Sequence, residues 1–334
     1  MSVRFALLGA GRIGQVHAQA ITSNPAAQLV AVADFIEISA TKLTQSFGGE
    51  VRSIDAIAAS DDVDAVLICT PTNTHADLIE QFARAGKAIF CEKPIDLSVD
   101  RVVACLKVVE ETGAKLMVGF NRRFDPDFAA VKETIEAGRI GVVEMVNIIS
   151  RDPGAPPAEY VKTSGGIFKD MTIHDFDMAR FLLGEEIDSV MAAASVLVDP
   201  KIGELGDFDS ANIILTTASG KQCSISNSRR ATYGYDQRIE VHGSLGMVAA
   251  QNQRPINIEI ATADGYSQPP LHDFFMTRYV AAYAAEIASF ITLLTQSTLS
   301  ITPNGNDGLQ SLAIAEAALK SVYEGRAIKL CEIH

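Results

Sequence analysis

The chain has 334 residues, a length that favours two domains over a single hydrophobic core. Hydrophobic residues make up 48% and charged residues 21% of it, as in ordinary soluble globular proteins. The 28 Lys and Arg against 41 Asp and Glu give a formal net charge of −13, which argues against nucleic acid or an anionic membrane as a partner.

Cysteine usage and the N-terminus both predict a cytoplasmic protein. The five cysteines are odd in number and widely spaced, without a C-x-x-C pair or zinc pattern, and fit reduced thiols. The opening "VRFALLGAG" is too short for a signal-peptide core. No run of 18 apolar residues predicts a membrane span.

The first 120 residues alternate short apolar runs with longer helical patterns. Strands are predicted at "VRFALLGA", "QLVAVAD", "DAVLICTP", "AIFCEKP" and "KLMVGF". Helices are predicted at "IGQVHAQAITS", "HADLIEQFARAG" and "SVDRVVACLKVVEETG". This alternation is typical of βαβ units, so we expect an α/β domain with a parallel sheet over 1–120.

After residue 120 the pattern changes. "FDPDFAAVKETIEAG" predicts a helix, and 187–262 is rich in strand-like segments without helical spacers. Strands joined by short turns favour a mostly antiparallel sheet. Two helices, at about 274–296 and 307–323, close the chain. We therefore expect a second α/β domain over 121–334.

The segment "GAGRIG" places Gly9, Gly11 and Gly14 in G-x-G-x-x-G register between a predicted strand and a predicted helix. Gly9 permits the tight turn, Gly11 lets the backbone approach a pyrophosphate, and Gly14 allows close packing. Arg12 and Ile13 begin the helix, whose N-terminal N–H groups suit phosphate oxygens. The alternative is a glycine turn that only packs.

An acid ends the second predicted strand. Asp34 lies 20 residues after Gly14, where a carboxylate binds the ribose hydroxyls of a dinucleotide and repels a 2′-phosphate. Phe35 and Ile36 supply no cation for such a phosphate. The sequence therefore predicts NAD rather than NADP.

Two further segments end predicted strands at the edge where open α/β sheets bind ligands. In "CTPTNTH" we expect cofactor contacts from Thr70, Pro71, Asn73 and His75. For His75 the alternative is a residue that serves its own backbone at a helix start. "CEKP" brings Glu92 and Lys93 to the same edge, and both are predicted cofactor contacts. The alternative for Lys93 is an exposed lysine at a strand end.

The segment "GGIFKDMTIHDFDMARFL", 165–182, concentrates acids and a histidine in an apolar run. In an α-helix, Asp170, His174 and Asp177 lie at i, i+4 and i+7 on one face, and Asp175 lies off it. We expect Asp175 to be solvated or to start a cap. The cluster could be a metal site, an acid–base pair or a structural ion cluster.

Together these four motifs, in this order, resemble the Gfo/Idh/MocA oxidoreductase family, and the resemblance covers nearly the whole chain. It implies a Rossmann domain followed by an α/β domain whose open, mostly antiparallel sheet often mediates tetramer assembly. We therefore expect a homo-tetramer. "SRDPGAPP" ahead of "GGIFKDMTIHDFD" is similar to members that oxidise inositol.

The resemblance also implies roles for individual residues. Lys93, Asp170 and His174 match the family's catalytic lysine, aspartate and histidine. Further residues fall where members contact a polyol, and these are Arg123, Asp177, Tyr233 and Tyr235. Asp152 in "SRDP" is another expected contact, although family versions of this loop carry His and Asn. Arg123 could instead form an ion pair.

The chemistry of alcohol oxidation suits these residue types. A histidine near its working pKa can take the hydroxyl proton, and we expect His174 to be this base. Asp170 could orient its ring, as the acid does in a catalytic triad. Lys93 could polarise the hydroxyl oxygen, and its charge opposes a metal ion nearby, so we predict no metal.

The expected reaction is therefore NAD-dependent oxidation of myo-inositol to its 2-keto product, scyllo-inosose. A dehydrogenase of scyllo-inositol or of another cyclic sugar is the alternative within the family. Two other classes stay open: a non-catalytic NAD-binding protein, and a hydrolase that uses NAD transiently.

Overall fold

The computed structural model of the chain describes residues 2–296 and 302–333. The helices of this part, α1 to α12 in chain order, are Arg12–Thr22, Glu37–Phe47, Ile54–Ala58, His75–Arg84, Val99–Thr112, Pro126–Glu136, Ala158–Ser164, Ile173–Leu183, Pro200–Glu204, Phe275–Arg278, Val280–Thr295 and Gly305–Glu324. The strands, β1 to β15, are Val3–Leu8, Ala27–Ala33, Glu50–Val51, Ala65–Ile68, Ala88–Glu92, Leu116–Gly119, Val143–Arg151, Ile187–Ser195, Ser210–Thr217, Gln222–Ser228, Asp236–Gly243, Gly246–Ala250, Ile260–Thr262, Gly265–Ser267 and Ile328–Lys329. Short 3-10 helices cover Thr72–Thr74, Asn121–Phe124 and Leu330–Glu332, and a π-helix covers Phe168–Thr172.

The chain divides into two compact units. The first comprises Met1–Asp125 and Val280–Leu312, and the second comprises Pro126–Tyr279 and Ala313–His334. The sequence predicted one division at residue 120, with everything beyond it in the second domain. The structure differs, because a C-terminal segment that includes α11 packs within the first unit.

The first unit is built on a parallel sheet in the order β3-β2-β1-β4-β5-β6. Strand β4 is buried throughout, and β1 is buried except at one position, as expected for strands covered on both faces. The strand order reverses between β1 and β4, the position where open α/β sheets bind ligands. The predicted Rossmann sheet is confirmed.

Helix α11 belongs to the core of this first unit. Its Ile287 and Phe290 are fully buried in the same cluster as Phe5 and Phe90. The Phe290 ring centroid lies 6.1 Å from that of Phe5 and 5.8 Å from that of Phe90. The sequence predicted a helix over about 274–296, but nothing in its pattern indicates which sheet it covers.

The second unit contains the large sheet that the sequence predicted. Its strand order is β12-β11-β7-β10-β9-β8-β15. The pairing is antiparallel except between β7 and β10, which run parallel. Buried and exposed residues alternate along β9 and β10, so one face of the sheet is covered and the other is open. The mostly antiparallel sheet is confirmed.

None of the described helices combines the length and the apolar character that a bilayer span requires.

The packing of α11 makes a stability prediction. Phe290→Ala should lower the free energy of unfolding by about 3–5 kcal/mol, because it removes a buried ring between two aromatic neighbours. Val280→Ala on the same helix is the matched control: Val280 is 59% exposed, and its truncation should cost within about 0.5 kcal/mol. Denaturant unfolding of the purified protein measures both values, and equal losses would contradict this placement of α11.

Candidate active site

Four turns that carry predicted site residues follow neighbouring strands of the first sheet. Asp34 follows β2, Gly9 follows β1, Thr70 comes just after β4, and Lys93 follows β5. Parallel strands present their carboxyl ends at one edge of a sheet. The strand order therefore places these residues in a row along that edge, in the order just given.

The three glycines of the first turn have different surroundings. Gly9 has φ +99°, and a Cβ there would lie 2.5 Å from the Cys69 carbonyl oxygen. A Cβ on Gly14 would lie 2.0 Å from the Gly9 carbonyl oxygen. A Cβ on Gly11 would meet nothing within 4 Å. Two glycines therefore permit the turn itself, and Gly11 leaves open space at the start of α1.

Asp34 is bound to the glycine turn through the backbone. Its carboxylate accepts hydrogen bonds from the Ala10 N–H at 2.6 Å and the Ile36 N–H at 2.7 Å. These bonds fix the orientation of the acid at the end of β2. Phe35 is fully exposed, and no cation occupies that position in the sequence. The local geometry supports an acceptor for ribose hydroxyls here.

His75 is buried and connects two loops at this edge. Its Nδ1 lies 2.8 Å from the Pro94 carbonyl oxygen, and its Nε2 lies 2.8 Å from the Thr70 carbonyl oxygen. Burial lowers the pKa of its imidazole. These contacts support the interpretation that His75 serves the backbone and holds the Lys93–Pro94 segment, whose peptide bond is cis.

The other predicted residues of this edge are more accessible. Thr70 and Ile13 are half-buried, and Arg12, Pro71 and Asn73 are exposed. The Thr70 Oγ1 lies 2.7 Å from the Thr74 Oγ1, which orders the turn after β4.

Glu92 has a partner that sequence reasoning missed. Its Oε1 lies 2.6 Å from Nε2 of His17, a fully buried residue of α1. The His17 ring packs edge-on against Phe90 and Tyr283. The only signal in the sequence was a histidine on the buried face of α1. The structure thus gives Glu92 a contact within the protein, next to Lys93.

Arg123 is buried in the first unit and forms an ion pair with Asp307 at 2.9 Å. Asp307 lies in the first turn of α12 and also accepts from the Asn304 N–H at 2.9 Å. Of the two interpretations given for Arg123, the structure shows the ion pair.

In the second unit, Asp170 lies on the π-helix rather than on a continuous α-helix. His174 follows on α8, so the regular α-helical face predicted for Asp170, His174 and Asp177 is interrupted. π-Helical turns occur frequently at functional sites. The Asp170 carboxylate accepts from Tyr160 Oη at 2.8 Å and from Arg229 Nη2 at 3.0 Å, two residues that the sequence did not single out.

Asp175 is fully buried, so the expectation that it is solvated or caps a helix is wrong. It accepts a hydrogen bond from Ser150 Oγ at 2.6 Å and another from Asn227 Nδ2 at 2.8 Å. A buried carboxylate with two donors joins α8 to the sheet. Asp177, two residues on, is also buried.

The two candidate tyrosines differ in exposure. Tyr233 is half exposed, and its hydroxyl donates to Asp236 at 2.6 Å and accepts from Arg151 at 3.1 Å. Tyr235 is buried, and its ring packs edge-on against Phe274 and Tyr279. Asp152, the remaining predicted contact, pairs with Arg229 at 3.4 Å.

Comparison with known proteins decides the family. Residues 3–120 match the model of an oxidoreductase family with an NAD-binding Rossmann fold, and residues 128–249 match the GFO/IDH/MocA C-terminal domain. The chain belongs to the Gfo/Idh/MocA oxidoreductase family. It is therefore an NAD-dependent oxidoreductase.

Three relatives show the extent of the similarity. Inositol 2-dehydrogenase from Rhizobium meliloti (strain 1021) is 68% identical over 330 residues, which cover 99% of this chain and 100% of that protein. The crystal structure of a myo-inositol dehydrogenase from Corynebacterium glutamicum ATCC 13032 superposes with a TM-score of 0.95 at 43% identity, covering 99% of each chain. That of scyllo-inositol dehydrogenase from Lactobacillus casei, with bound NAD(H) and scyllo-inositol, gives a TM-score of 0.91 at 27% identity and covers 99% of this chain and 100% of that one.

The glycine turn of this family member fits a dinucleotide. Gly11 leaves room at the N-terminus of α1, where backbone N–H groups suit a pyrophosphate, and Asp34 is oriented toward the same turn by Ala10. When bound, NAD supplies the acceptor for a hydride. No three His, Cys, Asp or Glu side chains of the described chain are grouped so that they could hold a metal ion.

Two glycine substitutions should separate cofactor binding from folding. Gly11→Ala should keep the thermal stability, because its methyl group meets no protein atom. It should weaken NAD binding by about tenfold or more, ~1.4 kcal/mol, because the methyl group enters the space that the pyrophosphate would occupy. Gly14→Ala should lower the melting temperature, because its Cβ would overlap the Gly9 carbonyl oxygen. Calorimetric NAD titration and thermal unfolding measure the two effects. Unchanged NAD affinity in Gly11→Ala would show that the pyrophosphate does not approach this turn.

Proposed function

We propose that this oxidoreductase converts myo-inositol to its 2-keto product, scyllo-inosose, with NAD as hydride acceptor. The observation that carries the proposal is the 68% identity to the Rhizobium meliloti inositol 2-dehydrogenase over 99% of this chain. The row of turns along the first sheet is consistent with it, since Lys93 lies at the edge that also carries the dinucleotide turn.

The proposed reaction gives His174, Asp170 and Lys93 separate roles. The hydroxyl proton passes to His174 as the C–H hydride leaves the same carbon, and a carbonyl group forms. Asp170 orients the imidazole and stabilises its charged form. Lys93, from the first unit, stabilises the oxygen as negative charge develops on it.

We also propose polyol contacts. Asp177 and Tyr233 carry groups that suit neighbouring ring hydroxyls, and the half-exposed position of the Tyr233 hydroxyl supports its part. Tyr235 is buried and would shape the site through its ring. Arg123 and Asp152 would contact the polyol while they keep their ion pairs with Asp307 and Arg229.

A second candidate is the oxidation of scyllo-inositol, which the Lactobacillus casei structure favours because it holds that substrate. Initial rates of NADH formation at 340 nm with myo-inositol, scyllo-inositol and a set of aldoses separate the two. Highest kcat/KM on myo-inositol supports the first proposal, and absence of turnover on every cyclitol rejects both.

The proposal includes a homo-tetramer. The open face of the second sheet carries apolar side chains that are about half exposed, namely Met145, Met191, Ile214 and Met247. Their burial against a second copy would account for these residues on a sheet face. Light scattering after size-exclusion chromatography measures the number of copies in the assembly.

We propose a cytoplasmic location as well, supported by five free thiols, four of them buried.

The catalytic roles predict two variants with low turnover. Lys93→Ala and His174→Ala should each lower kcat about 10²- to 10⁴-fold while NAD affinity changes little, because both act on the substrate oxygen. Lys107→Ala is the matched control, since its side chain is exposed. Steady-state kinetics and NAD titration test this, and full activity of His174→Ala at neutral pH would remove it as the base.

The position of Asp34 predicts the cofactor preference. Asp34→Ser combined with Phe35→Arg should shift the NAD to NADP ratio of kcat/KM by about tenfold or more toward NADP, because a carboxylate is replaced by a hydroxyl beside a new cation. Phe35→Arg alone is the control and should shift it less, since the carboxylate remains. An unchanged preference in the double variant would contradict the assigned ribose contact.

A further inference from the structure

Arg229 is a buried cation that links two residues of the proposed site. It follows β10 directly and is only 3% exposed. Its Nη2 donates to Asp170 at 3.0 Å, and its Nη1 donates to Asp152 at 3.4 Å. The Arg229 N–H donates to the Asp209 carbonyl oxygen at 2.8 Å, which fixes the backbone from which the guanidinium extends.

The sheet register accounts for this contact. Strands β7 and β10 run parallel and pair Arg151 with Ser228, and the Asp152 N–H donates to the Ser228 carbonyl oxygen at 2.9 Å. Asp152 and Arg229 are therefore the next residues along two paired strands. The fixed backbone brings Asp152 and the guanidinium together.

Asp170 is held from two sides. Tyr160 Oη donates to one carboxylate oxygen at 2.8 Å, and Arg229 donates to the other. A carboxylate that is bound through both oxygens keeps one orientation. Since a guanidinium cannot lose its proton in a protein, Arg229 places a permanent positive charge beside this half-buried carboxylate.

A third carboxylate lies beside this group. Asp207 accepts from the Ile167 N–H at 2.9 Å, just ahead of the π-helix, and its other oxygen is buried without a hydrogen-bond partner in the described chain. Burial raises the pKa of Asp207. Arg229 is therefore the cation that balances several acids where the π-helix begins.

We propose that Arg229 is a positioning residue of the reaction: it holds the Asp170 carboxylate in one orientation, and Asp152 belongs to the same network. The proposal rests on the proposed function, in which Asp170 orients His174. Arg229 itself touches neither substrate nor cofactor in this scheme. Its loss should lower kcat and leave NAD affinity unchanged.

The experiment is a double-mutant cycle on inositol oxidation. Arg229→Gln should lower kcat roughly tenfold to a hundredfold, because a misplaced catalytic group costs that much. Asp170→Asn should lower it at least as far. The double variant should be no slower than Asp170→Asn alone, because Arg229 acts through Asp170. Arg229→Lys, which keeps the charge, should retain part of the activity that Arg229→Gln loses.

Arg230→Gln is the matched control, since the neighbouring arginine is exposed and its side chain donates to the Leu197 carbonyl oxygen. It should retain wild-type kcat. The thermal transition and NAD binding of Arg229→Gln show whether it folds. If it does not, two other comparisons test the proposal. One compares kcat of Arg229→Lys with that of wild type, and the other compares kcat of the double variant with that of Asp170→Asn. In the double variant position 170 carries no charge that has lost its cation, and Asp152 is the carboxylate that loses its contact with Arg229.

The outcomes separate the two proposals. If the wild-type protein oxidises no inositol, the proposed function is wrong. If the wild type is active and Arg229→Gln retains kcat within about twofold, or if the two losses multiply in the double variant, Arg229 does not act through Asp170 and the inference is overturned. The inference would also be overturned if the only change in Arg229→Gln were a higher KM for NAD.

Discussion

The parallel pairing of β2, β1, β4 and β5 is the constraint on which the chemistry of the first unit depends. The register pairs Leu8 with Ala33 and with Ile68, and Ile68 with Cys91, so these strands end at one level. Every turn that follows must then begin at the same edge. Gly14 adds a second constraint, because α1 can start beside β1 only where no Cβ separates it from the Gly9 carbonyl oxygen. The dinucleotide turn and Lys93 therefore lie along one edge of the sheet through backbone geometry.

In the second unit, side-chain contacts rather than backbone turns position the candidate site residues. Ser150 and Asn227 are register partners on β7 and β10, and both donate to the buried Asp175 of α8. Beyond the same pair of strands, Arg229 contacts Asp170 on the π-helix. Two consecutive attachments therefore hold the segment that carries His174 against the sheet. The change from π-helix to α-helix lies between them, which allows Asp170 and Asp175 to face different partners.

Much of this fold could be predicted from the sequence, and the exceptions share a cause. Strands of the first sheet, the antiparallel second sheet and the glycine turn follow from apolar periodicity and glycine spacing, which are local properties. The location of α11, the His17–Glu92 contact and the buried state of Asp175 depend on residues distant in the chain. Arg229 and Arg230 are adjacent and of one type, yet one is buried and the other exposed. The alternation along β10 reaches Arg229 on the covered face and Arg230 on the open face, and the pairing of β7 with β10 then decides that Arg229 meets Asp152. The π-helix was missed because i, i+4 spacing fits an ordinary α-helix equally well.

This difference between the units determines how each tolerates change. In the first unit the site depends on where the backbone turns, so a side chain such as Phe35, which is fully exposed, can vary without disturbing the turn. In the second unit Asp170, Asp152 and Arg229 balance one another's charge in a place that water barely reaches. Removing Arg229 alone leaves Asp170 and Asp152 as largely buried charges without this cation, and breaking a buried ion pair in this way costs about 3–5 kcal/mol. We therefore expect a substitution of Arg229 to be accepted only together with substitutions of the acids that it contacts.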